Sequence, residues 1–181
     1  MRANEAREVG TSRGRGRRDR EQGAALVEFA LIVPLLFLML FGIIEFGFAF
    51  NDYQSVRQGV RDGARNAAVS TYGTTTACSI TGASGASVST QQIICSTKAA
   101  IGLGNTKTRV DVKLPSGTTK KGDPIIVCAQ YQLQSFTGLF APFLNNVRLR
   151  SRVETRIEKD LAPVPNAAAE TPPGSGDWAW C

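Results

Sequence analysis

Histidine is absent from the 181 residues. Its absence removes the usual partner of a serine or cysteine nucleophile and the commonest metal ligand. The four cysteines, Cys78, Cys95, Cys128 and Cys181, form no CxxC pair, which argues against a zinc site. No convergent Lys, Asp or Ser motif stands in for the missing histidine, so the expectation is a protein that is not an enzyme and has no metal, cofactor or small-molecule substrate. Charge is missing too, over one long stretch: from Phe29 to Ile44 there is no acid or base, and Glu28 and Glu45 bracket the gap. At about 1.5 Å per residue the two carboxylates stand about 25 Å apart along a helix. A bilayer's hydrocarbon core is about 30 Å thick, so residues 24–50 read as a transmembrane helix with an acid near each interface.

What is present fits around that helix. The 21 Lys+Arg against 15 Asp+Glu give a net charge of +6, but the excess is local. Arg13, Arg15, Arg17, Arg18 and Arg20 crowd directly ahead of the apolar run. Basic residues beside a span favour the cytoplasmic side, which puts residues 1–23 inside as a basic leader open to cleavage and the C-terminal part outside. Basic arms also bind nucleic acid, but the neighbouring apolar helix makes topology the preferred reading and nucleic acid no partner. A secretory signal with a cut after Gly47-Phe48-Ala49 is a weaker alternative, because Glu45 interrupts the approach to that site.

All four cysteines fall on the side placed outside, where thiols oxidise, and they allow three pairings. Cys78 with Cys95 and Cys128 with Cys181 is preferred, since the first two flank one loop-rich segment. The alternative keeps Cys128 as a plain strand residue and Cys181 as a free tail thiol.

Past Phe50, Tyr53, Val56, Val60, Ala64 and Ala67 or Ala68 recur at helical steps, so one helix is expected to continue to about Val69. Pro34 inside it predicts a bend, and Gly59 and Gly63 either weaken it or admit a close neighbour. Ser70 to Ser89 reads as a loop and Gln91 to Leu103 as a short helix ending at Gly102 or Gly104. Val110, Val112 and Leu114 alternate with charges as a half-buried strand, and Ile125 to Leu133 is apolar throughout, as a central strand would be. Phe136 to Leu144 is expected to plug one end of the core. Val147 to Ile157 alternates cleanly, with its charges on a solvated face. These elements make residues 51–161 an extracytoplasmic α+β domain. Residues 162–181 form a Pro/Ala/Gly-rich, linker-like tail ending in Trp178, Trp180 and Cys181.

Glu28 needs an explanation beyond anchoring. An acid in mid-bilayer costs about 2.5–3.5 kcal/mol on insertion scales and less near an interface, and such acids usually have a partner. Cleavage after Gly23 would supply one, the new amino group of Ala24. The run Gly23-Ala-Ala-Leu-Val-Glu28-Phe29-Ala-Leu-Ile-Val-Pro34-Leu-Leu, followed by Gly42-Ile-Ile-Glu45-Phe-Gly47 and Val60-Arg-Asp-Gly-Ala-Arg65-Asn-Ala-Ala, resembles the type IV prepilin class, and within it the TadE-like pseudopilin family of tight-adherence (Flp, type IVc) pili. Ala24 replaces the aromatic of classical prepilins and Phe29 the tyrosine of Flp pilins, which favours a pseudopilin over a major pilin. The resemblance implies processing at Gly23, Ala24 and Glu28 by a prepilin peptidase. It also implies assembly and helix packing through Glu28, Pro34 and Glu45.

The implied partners are the membrane, other minor pilins or the major Flp-type pilin, and the pilus assembly platform. The implied localisation is a single-pass protein of the bacterial cytoplasmic membrane, N-terminus inside. The implied fold is α+β and pilin-like, a long N-terminal helix packed on a small antiparallel sheet of about three strands. The alternative function is a membrane-anchored binding or sensory module unrelated to pili.

Overall fold

A computed structural model of the chain describes residues 15–71, 73, 78–104, 106–174 and 176–181, with side chains of the first helix from Gly23 onward. The leader up to residue 14, Arg13 included, lies outside the described residues. Helix α1 runs Arg15–Ala68, continuous through Pro34. It therefore begins ahead of Gly23, within the basic arm. Arginine, glutamate and glutamine are good helix formers, and adding residues to an existing helix avoids the cost of a new nucleus.

Two compact units follow, Met1–Ile43 and Ile44–Cys181. The described part of the first is helix alone, its large apolar side chains from Leu26 through Ile43 exposed apart from the half-buried Val33. The second unit holds the remainder of α1, then α2 (Val88–Ile101), β1 (Thr108–Lys113), β2 (Pro124–Gln132), a single turn α3 (Ala141–Leu144), β3 (Arg148–Arg156) and β4 (Ala168–Ala169).

The core forms where the helical and strand periods agree. Val56, Val60, Ala64 and Ala67 of α1 meet Ile93, Ile94 and Ile101 of α2, and both helices cover Val110, Val112, Ile125, Val127 and Ala129 of the sheet. Each fully buried valine or isoleucine stabilises such a core by about 1.5–3 kcal/mol. The two helices come close at the glycines of α1. A Cβ on Gly59 would stand 2.6 Å from the Ile101 backbone nitrogen, and one on Gly63 2.1 Å from Thr97 Oγ1. The glycines are thus packing positions. Helix α2 starts at the Ser87 cap, whose side chain accepts from Thr90 N–H, and stops at Gly102 in the left-handed region (φ 71°). Only glycine enters that region without steric cost.

The sheet is antiparallel in the order β3-β2-β1-β4, with the apolar β2 inside as its composition indicates. The fourth strand is a pair of alanines, Ala168 and Ala169, which carry no alternation to read. Two expectations are corrected here. The 136–144 loop does not plug the core: Phe136 is 74% exposed, Leu139 55% and Phe143 76%. The tail is no linker, because it crosses the sheet and is held at several points. Asn166 Oδ1 accepts from Ser87 N–H at 2.7 Å, Trp178 Nε1–H donates to Glu170 O at 2.7 Å, and Gln130 Nε2–H donates to Asp177 O at 2.5 Å. Cys181, Trp178 and Trp180 cover Ile126 and Cys128 on the face away from the helices. Arg150 lies over the Trp180 ring, 5.4 Å from its centre. The charged positions 152, 154 and 156 of β3 remain exposed.

Candidate functional site

Gly23, Ala24, Glu28 and Pro34 lie on α1 within the first unit, all exposed. Among the described residues, its own chain neighbours and helix backbone aside, no heavy atom lies within 4 Å of a Cβ built on Gly23. The helix from Gly23 is long and apolar enough to cross a membrane, and none of its most apolar window is buried. A surface that apolar is stable against lipid or another protein and not against water.

Glu45, in the second unit, departs from expectation. In place of an interfacial acid reaching water, it is 3% exposed. Its carboxylate accepts from Phe136 N–H at 2.7 Å, Thr137 N–H at 3.2 Å and Thr137 Oγ1–H at 3.0 Å. Three donors, two of them backbone, satisfy a buried carboxylate that would otherwise carry a large desolvation cost. A readable signal existed. Glu45, Ala49, Asp52, Val56, Val60 and Ala64 recur at steps of three and four, so Glu45 stands on the stripe that turns toward the domain. Asp52, two turns further on, meets Tyr131, whose phenol is pushed up by burial and by the carboxylate beside it.

A second buried acid was not anticipated at all. Glu170, in the tail, pairs with Lys98 of α2 at 2.7 Å, both side chains fully enclosed. The same carboxylate accepts from Thr81 N–H and Val110 N–H, each at 2.9 Å, while Lys98 also donates to Ser79 O at 2.5 Å. Burial pulls the Lys98 ammonium down from its ordinary value, against the hydrogen bond and charge of Glu170. Helix, loop, strand and tail thus converge on one ion pair. Lys98 sits one turn beyond Ile94 in the apolar stripe of α2, and a lysine there is the mark the sequence offered.

The cysteines join as preferred, Cys78 to Cys95 and Cys128 to Cys181. Among the described residues no group of three or more His, Cys, Asp or Glu gathers to hold a metal ion.

Among the described residues one N-terminal helix is long and apolar enough to span a bilayer, and it continues into a small disulfide-stapled α+β unit, an architecture consistent with the class of single-pass membrane-anchored proteins. Within that class, residues 23–65 match the family model described as TadE-like protein, and the chain carries a TadE-like segment there. The match begins at the candidate cleavage glycine and takes in Glu28, Pro34 and Glu45. No curated protein and no solved structure matches the chain.

Proposed function

We propose that this chain is a minor pilin or pseudopilin, a structural or priming component of a tight-adherence pilus and not an enzyme. The observation that carries the reading is the registration of Gly23, Glu28, Pro34 and Glu45 inside the TadE-like match at residues 23–65. An inert anchor needs apolar length alone. It needs neither an exposed glycine at the membrane border nor an acid five residues beyond it.

In this reading a prepilin peptidase cuts after Gly23, and the amino group of Ala24 neutralises Glu28 on the same or a neighbouring subunit. The exposed apolar helix waits in lipid and then packs against other minor pilins or a major Flp-type pilin at the assembly platform. The arginine arm holds the N-terminus inside, which leaves the disulfide-bearing unit outside the cytoplasm. Deletion of the gene is expected to abolish surface pili and adhesion, with both restored by the intact gene in trans. Intact pili and adhesion in the deletion strain would refute the proposal and favour a membrane-anchored sensory or binding module.

A further inference from the structure

The 136–143 loop exposes large apolar side chains. From Pro124 to Val147 the sequence holds no charged residue. Phe136, Leu139 and Phe143 point outward, joined by Phe46 and Phe48 of α1, all within the second unit. The Phe136 and Phe48 rings lie tilted by 31° against each other with their centres 4.7 Å apart. What fixes the loop is Glu45. Its carboxylate holds the backbone N–H groups of Phe136 and Thr137 at 2.7 and 3.2 Å, and Ser135 Oγ accepts from Gly138 N–H at 3.0 Å to close the turn. Glu45 is also the first charged residue after the apolar run. A segment hydrogen-bonded to it therefore lies at the level where the run ends.

We propose that this loop is a second membrane contact, seated in the outer interface of the bilayer that α1 crosses and held at that depth by Glu45. The occupant is lipid, the region of headgroups and upper acyl chains. Continuity favours it: a loop stapled to α1 at the residue where its apolar run ends meets the interface before it meets a protein. Composition favours it as well, since uncharged loops bearing phenylalanine and leucine partition to that depth. The buried hydrogen bonds let Glu45 sit there without water. The contact would give the outer unit a fixed tilt on the membrane, a hold that a single helix leaves to rotation.

This inference rests on the anchoring of α1, and the test separates the two. The full chain is reconstituted in phosphatidylethanolamine/phosphatidylglycerol vesicles. These contain either a phosphatidylcholine with a diazirine near the top of one acyl chain or one with the diazirine at the chain end. After photolysis the labelled peptides are mapped by mass spectrometry. The shallow probe is expected to label residues 136–143, the deep probe residues 29–44 but not the loop, and neither the segment around the exposed Val88. Labelling of 29–44 with no more label on the loop than around Val88 overturns the loop contact and leaves the anchor standing. Absence of label from both removes the anchor and the loop contact together. A loop free of lipid label but recovered in cross-links to a second copy likewise overturns it. Glu45→Ala should lower loop labelling severalfold without changing that of 29–44, and unchanged loop labelling would refute the role given to Glu45.

Discussion

Glu170→Ala is expected to destabilise the outer unit by about 3–5 kcal/mol, the range for removing one partner of a buried ion pair. The loss exceeds that of a surface bridge because nothing replaces the carboxylate. Lys98 would stay enclosed without the Glu170 carboxylate beside its charge, and the N–H groups of Thr81 and Val110 would lose their acceptor. The pull of burial on Lys98 already runs against its charged form, so without Glu170 the ammonium would shed its proton or draw water inward. Denaturant unfolding of the detergent-solubilised chain, followed by tryptophan emission, measures this directly. Trp178 donates to the Glu170 carbonyl and reports on the tail itself. Glu170→Gln should recover part of the loss, because one amide oxygen still accepts while the NH₂ faces a donor. A shift of the Ala variant within 0.5 kcal/mol, the range for ordinary surface substitutions, would show that the pair does not hold the tail.

The second large effect concerns the other end of the tail. Cys181→Ser opens a bridge that closes a span of 53 residues, and chain entropy assigns a loop of that length about 4 kcal/mol. The sign follows from geometry. With the bridge intact, an unfolding tail stays near Cys128 and rejoins quickly; without it, the Trp178 and Trp180 cover over Ile126 and Cys128 can leave the sheet. Reduction with a strong thiol reductant also opens Cys78–Cys95, so it should cost at least the loss measured for Cys181→Ser. Both substitutions act on one element, so the double variant should fall short of the summed losses. Additive losses would mean that the ion pair and the bridge hold separate pieces.

Much of this architecture is legible in the residues, for reasons that also explain the gaps. Strand β3 reads at sight because alternating charges mark its solvent face, and β2 reads as central because it is apolar on both. Gly102 announces the end of α2. The tail escaped because its hold is non-local. Two alanines extend the sheet without a pattern, and Glu170 gains meaning only once Lys98, Thr81 and Val110 surround it. A stretch of proline, alanine and glycine looks like a linker when its cross-links are not yet in place. Glu45 was hidden for a different reason. The end of an apolar run draws attention to distance from water, whereas its place on the stripe with Val56 and Val60 decides what it touches. Phe136, Leu139 and Phe143 were misassigned by the same habit of reading aromatic as buried. Gly23, Glu28 and Pro34 are legible only through their registration in the TadE-like segment, since they stand exposed among the described residues.

The central claim is that α1 is a processed assembly element and not an inert anchor. The mass of the intact chain, extracted from membranes of cells that contain a prepilin peptidase, tests it most directly. A mature chain beginning at Ala24 is the predicted result. A chain that keeps Met1, or one that begins at Phe50 after cleavage behind Ala49, would contradict it.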